Sequence, residues 1–303
     1  MKPYNNRTPD TQYRDLLKKI LENGIRTNTQ QETDAITLMA PGPMRFRLDN
    51  GFPMITERNM APKTSDLLPV TVWQQAVGEI FAFINGVRTQ KGLEEFGCTW
   101  WSSWVTEEKC KKRGLETGDL GPGSYGAAFH DFPTAEGEPY NQFKNIVEQI
   151  KEFPHLRTHF ISPWIPQYTI RGKGKQQKVV VAPCHGWIHI RILDNKLTLH
   201  MMQRSGDVPI GVPSNMAQYG ALTLALAHVT GTEPYEYIHS ISDAHIYVNQ
   251  IDAVKTMIER EPKAFPTMTI KTNKKDIFEF RKDDFTLTDY NPHPGIKGIP
   301  VAI

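Results

Sequence analysis

The residues best suited to chemistry are Cys184, in the run Ala182-Pro183-Cys184-His185, and the later pair Arg204-Ser205. An alternating segment from Trp187 to Leu193 precedes Asp194-Asn195, and a second, from Leu197 to Met202, follows it. Two period-2 runs about a two-residue turn predict a β-hairpin. A regular ladder about that turn sets Cys184 opposite Ser205 with Arg204 one step away, so a thiol and a fixed positive charge share one end of the sheet. A thiol is a nucleophile only as its thiolate, which a neighbouring guanidinium favours. Arg also grips phosphate with a planar fork of donors. The plainer alternative is a buried, inert Cys184 and a surface Arg204. His185 is no base for Cys184, because neighbours on a strand point to opposite faces.

After Ser205-Gly206-Asp207, the breakers Pro209, Gly211 and Pro213 predict a loop, and a helix starts at Ser214-Asn215. Asn215 is then either that helix's N-cap or an amide whose donor and acceptor match the N3–H and O4 edge of a uracil ring. Asp243, His245 and Tyr247 alternate and project from one face of a strand. On a helix predicted from Val70 to Ile84, Glu79 falls at the rim of an apolar arc. A carboxylate there is half-solvated, or a proton relay with a raised pKa if the rim borders a cavity. Trp100, Trp101 and Trp104 are core or the wall of a site for a flat ring. Tyr125 sits in a Gly-rich turn that lacks the Lys of a phosphate loop. Arg171, Lys173, Lys175 and Lys178 make a basic loop, a solvated face or an anion lid.

The elements that must position these groups fit one compact α/β domain over 1–303, since 303 residues with 39% hydrophobic content supply one sizeable core. The stretches 106–118 and 171–178 read as loop insertions. Further helices are expected after Thr8-Pro9-Asp10, over Asn141 to Phe153 and over Ile251 to Arg260, with strand, turn and strand over Met39 to Phe52 and a strand over Arg157 to Trp164. A net charge of +2 makes no case for nucleic acid or membrane as partner. The 3 cysteines lack paired spacing, so neither a disulfide framework nor a metal site is expected. With no apolar leader at the N-terminus, the expected location is the cytoplasm.

PCH, QRSGDVPIGVPSN and DAHIY together resemble the thymidylate synthase family, and the likeness runs from about Glu22 to Ile303. The resemblance implies a single α/β (α+β) domain with a large twisted mixed sheet flanked by helices, dimerising through the sheet. It implies methylation of dUMP to dTMP with 5,10-methylenetetrahydrofolate as co-substrate and no metal. By position, Cys184 attacks C6 of the pyrimidine, Glu79 relays protons around O4, and Tyr125 is the phenol near C5. Asn215 reads the uracil edge, with Gln203 beside it, and His245 and Tyr247 hold the sugar 3′-hydroxyl. Arg204 and Ser205 bind the phosphate, joined by Arg157 from the other subunit of a homodimer. Asp207 holds the pterin; Trp101, Trp104, Gly211, Arg58 and the terminal Ile303 complete the folate side.

The sequence also departs from that family's pattern. Gln31 and Thr158 stand where phosphate-binding Arg residues are usual, which the basic loop or Arg26 is expected to offset. Arg58 stands for a common Lys, Ser102 and Ser103 for acidic residues, Ser214 for a Phe, and the GPGSYG turn is one residue longer than usual. These changes surround the step that decides the product: hydride gives a methyl group, water a hydroxymethyl group. The PVAI tail favours a closed site and hydride transfer; the altered Trp and Tyr surroundings favour the alternative, hydroxymethylation of dUMP, UMP, dCMP or CMP. A nucleotide-binding protein without turnover, and a cysteine hydrolase built on Cys184, His245 and Asp243, are the readings from other classes.

Overall fold

Asp194 and Asn195 take left-handed backbone angles, φ 51° and 55°, as a tight hairpin turn requires and as Asp and Asn tolerate. In the computed structural model, which describes residues 1–31, 33–62 and 70–302, that turn joins two strands of a 7-stranded mixed sheet. In chain order the strands are β1 (Ile25–Thr27), β2 (Ala35–Met39), β3 (Met44–Arg47), β4 (Phe160–Ile161), β5 (Trp187–Leu193), β6 (Lys196–Asp207) and β7 (Glu233–Tyr247). Their order in space is β1-β2-β7-β6-β5-β4, with β3 also on β7. A separate antiparallel pair, β8 (Thr267–Ile270) and β9 (Phe285–Thr288), lies outside it. The helices are α1 (Gln12–Asn23), α2 (Val72–Ile84), α3 (Gln90–Glu95), α4 (Glu107–Lys111), α5 (Tyr125–His130), α6 (Gln142–Glu152), α7 (Pro166–Thr169), α8 (Gly211–Thr230) and α9 (Ile251–Glu259).

The hairpin register is the one the alternation requires, with Trp187 facing Met202 and Leu193 facing Lys196. Ile188, Ile190, Leu197, Leu199 and Met201 point into the core. The other face of the hairpin, with Trp187, His189, Arg191 and His200, is half-exposed. β6 and β7 run parallel, and α8 makes the crossover that parallel strands need. This helix is apolar around most of its circumference and is accordingly sunk between the sheet and α2. Thr71 caps α2 in a reciprocal capping box with Gln74. Gly78 lets α2 approach the next segment closely: a Cβ there would lie 2.2 Å from the Phe96 carbonyl oxygen.

Several expected boundaries move. α8 starts at Gly211 and not at Ser214, because Pro213 sits in the first turn, where its missing N–H leaves no bond unmade. The stretch from Arg157 to Trp164 pairs only at Phe160–Ile161. The expected loop 106–118 contains α4, capped by the Thr106 hydroxyl. The pair β8–β9 had no reading in the sequence.

Candidate active site

The end of the β5–β6 ladder holds the thiol and the guanidinium together. The Arg204 and Ser205 amides donate to the Cys184 carbonyl at 2.7 and 3.3 Å, extending the register past the strand end. Arg204 Nη2 lies 3.4 Å from Cys184 Sγ, while Nε and Nη2 donate to the Pro183 and Ala182 carbonyls. Burial pushes the Cys184 thiol above its ordinary pKa, with Arg204 opposing. Arg204 lowers the thiol pKa as expected, and the loss of water raises it by more. His185 turns away, its Nδ1 2.6 Å from the Tyr219 hydroxyl. Burial holds its pKa down at about 3, so it is a neutral ring.

The Tyr125 hydroxyl already has a partner in the chain. It accepts the Cys184 amide at 2.6 Å, and the ring stacks between Phe83 and His185 at 4.8 and 4.5 Å.

Glu79 is 5% exposed, so the half-solvated reading fails. The indoles of Trp100 and Trp101 donate to its Oε1 at 2.6 and 2.5 Å, the Cys98 thiol approaches at 3.6 Å, and Gln218 Nε2 donates to Oε2. Burial raises the Glu79 pKa against those donors. Gln218 Oε1 in turn accepts from Asn215 Nδ2 at 2.8 Å, and Asn215 Oδ1 accepts from Gln203 Nε2 at 3.1 Å. Gln203 Oε1 meets His239 Nε2 at 2.7 Å, so a continuous hydrogen-bonded chain links His239 to Glu79. Asn215 lies inside α8 and is not its N-cap.

Across the parallel pair, Ser205 registers with Asp243 and Asp207 with His245. Ser205 Oγ donates to Asp243 at 3.4 Å, His245 Nδ1 sits 3.3 Å from the same carboxylate, and the His245 and Tyr247 rings are 5.1 Å apart. The hydrogen bond with His245 keeps the Asp243 pKa below its ordinary value. Burial pushes Asp207 up to about 6 and Tyr247 up to about 12. Asp207 Oδ2 accepts from Gln250 Nε2 at 3.0 Å, and the same nitrogen donates to the Pro300 carbonyl at 2.9 Å, tying the carboxylate to the C-terminal tail.

Arg58 Nη2 donates to the Pro209 carbonyl at 2.9 Å, and its Nε is buried with no partner among the described residues. Trp104 lies under the Lys109 ammonium at 5.3 Å. Gly211 leaves room beside the side-chain oxygen Oδ1 of Asn215, 3.9 Å from where a Cβ would stand. Arg157 is exposed near the sheet edge. Ile303 lies outside the described residues.

Sequence reasoning missed Gln218, His239 and Gln250, and placed Trp100 in an aromatic cluster without its bond to Glu79. For Gln218 a signal existed: a glutamine three residues after Asn215 on a helix otherwise apolar shares its face. Among the described residues no group of three or more His, Cys, Asp or Glu could hold a metal ion, and no helix is long and apolar enough to cross a membrane. Residues 11–303 match the family model described as thymidylate synthase.

Proposed function

Because this chain belongs to the thymidylate synthase family, which transfers one carbon to C5 of a pyrimidine nucleotide with methylenetetrahydrofolate as co-substrate, we propose that it methylates dUMP to dTMP. The observation that carries the reading is the 3.4 Å contact between Cys184 Sγ and Arg204 Nη2. It stations a nucleophile beside a cation able to hold the nucleotide's anionic end. The hydrolase alternative needs an imidazole at the sulfur; the Cys184 thiol meets Arg204 and the Ala182 carbonyl.

In this reading Cys184 gives its thiol proton to solvent and Sγ bonds to C6 of the ring, a bond that breaks again to free the product once C5 has taken the carbon unit and given up its own proton. The ring's electron pair moves toward O4, where buried Glu79 holds and returns a proton. C5 then carries the electron density that takes up the carbon unit. The folate supplies that unit and, for a methyl product, the hydride. Arg58, whose Nε has no partner among the described residues, Asp207 and the tail held by Gln250 form a donor and acceptor set suited to a pterin amide. Arg204 and Ser205 take the phosphate. Arg171 is the leading substitute for the missing phosphate contacts, because its Nη1 reaches Gln30 Oε1, 3.3 Å away, in the loop between β1 and β2. Arg26 is already committed to Asp34 at 2.8 Å. The working unit is a cytoplasmic homodimer packed through the half-exposed sheet face, each subunit lending Arg157 to the other.

Hydroxymethylation stays as a second reading because exposed Ser102 and half-exposed Ser103 stand beside Trp101 in place of the acidic residues expected there, in reach of water. Incubation with methylenetetrahydrofolate and each of dUMP, UMP, dCMP and CMP separates the readings. A rise in dihydrofolate absorbance with a methylated product is expected with dUMP. A product with one further oxygen and no such rise replaces methylation by hydroxymethylation. No product from any nucleotide overturns both.

A further inference from the structure

The carboxamide of Asn215 is held from both sides by other carboxamides, of which Gln203 is anchored on a backbone carbonyl and Gln218 on the Glu79 carboxyl, each accepting from the amide nitrogen. Gln203 Nε2 donates to the Ser205 carbonyl at 2.9 Å as well as to Asn215 Oδ1 at 3.1 Å. Gln218 Nε2 donates to the Glu79 carboxyl, so its Oε1 faces Asn215 Nδ2 at 2.8 Å. The two ends of an amide have nearly the same shape, and only their partners decide which way it points. Here both neighbours demand the same orientation. Reversing Asn215 would set nitrogen against the Gln203 nitrogen and oxygen against the Gln218 oxygen. The three side chains are 6%, 3% and 0% exposed for Asn215, Gln203 and Gln218, so water is poorly placed to compensate.

Among the described residues this leaves Asn215 one lone pair on Oδ1 and one hydrogen on Nδ2. An acceptor beside a donor matches a ring edge with N–H beside C=O, and opposes one with a bare ring nitrogen beside NH2. We propose that Gln218, acting with Gln203, is a specificity-determining residue: it locks the Asn215 amide so that the site takes uracil nucleotides and rejects cytosine nucleotides. The inference rests on the reading of the site as a pyrimidine nucleotide site and deepens it. Gln218 acts through Asn215 and is a positioning residue.

The test is calorimetric binding of dUMP and dCMP to the full chain, wild type against Gln218→Met, Glu79→Gln and the double variant Gln203→Met/Gln218→Met. The quantity read is the ratio of the two dissociation constants, which a reduced folded fraction does not move. Wild type is expected to favour dUMP by about a hundredfold or more, as sites with buried, committed polar groups do. Gln218→Met removes one anchor and Glu79→Gln removes the reason for Gln218 to point one way. Each is expected to shrink the ratio by about tenfold, and the double variant further. If Gln218→Met fails to fold, Glu79→Gln carries the test alone. A wild type that prefers dUMP, with the ratio changed less than about threefold in every folded variant, overturns the lock and leaves the enzyme reading standing. A wild type that binds neither nucleotide overturns both.

Discussion

Replacing Trp100 by Phe keeps a ring in place and deletes one hydrogen-bond donor, the indole N–H that lies 2.6 Å from Glu79 Oε1. Trp100 heads the donors that hold the Glu79 pKa down against burial. A hydrogen bond to a charged group is worth about 1.5–3 kcal/mol. Trp101 donates to the same oxygen at 2.5 Å and strengthens its hold when the competitor leaves, so the lower end applies. At 1.36 kcal/mol for each tenfold change in protonation, the Glu79 titration midpoint should move upward by about one pH unit. The direction follows from the ionised form being the one the donor stabilises. The assay is infrared difference titration of the protonated carboxyl band, assigned by its loss in Glu79→Gln. Nucleotide binding at a pH above both midpoints should change little, because the Gln218 bond to the other oxygen is untouched. A midpoint that stays put in Trp100→Phe, or moves down, refutes the view that these indoles tune Glu79.

Glu57, 2% exposed with Oε1 unpaired among the described residues, has its pKa pushed by burial up to about 7. A carboxyl whose folded pKa is raised contributes stability below its unfolded value, lost as pH rises through the folded one. Its ordinary value is 4.5, so about 3 kcal/mol should vanish between pH 4.5 and about 7, and urea titrations of Glu57→Gln should show that slope flattened. Gly78→Ala drives a Cβ to 2.2 Å from the Phe96 carbonyl and should cost about 1–3 kcal/mol, read as a lower urea midpoint; an unchanged midpoint would mean that α2 slides freely. Gln250→Ala removes the nitrogen shared by Asp207 and Pro300. It should raise KM for methylenetetrahydrofolate about five- to tenfold while leaving the dissociation constant of dUMP alone; equal losses for both ligands would show that the tail does not serve the folate side.

Alternation alone carried the β5–β6 register to the residue, because a strand's period of two leaves no freedom once a two-residue turn is placed. The Cys184–Arg204 contact, the shared face of Asp243, His245 and Tyr247, and the helix bearing Glu79 follow from the same local periodicities. The start of α8 was misplaced because Pro reads as a breaker, although a helix's first turn accepts it. The partners of Glu79 lay beyond reach: Gln218 stands 139 positions away in the chain, and Trp100 and Cys98 reach it only because Gly78 lets the segments touch. The charge state of the site was likewise undecidable from the chain. The sequence names a thiol and a guanidinium, but whether their attraction or the loss of water prevails depends on depth of burial, which packing alone sets.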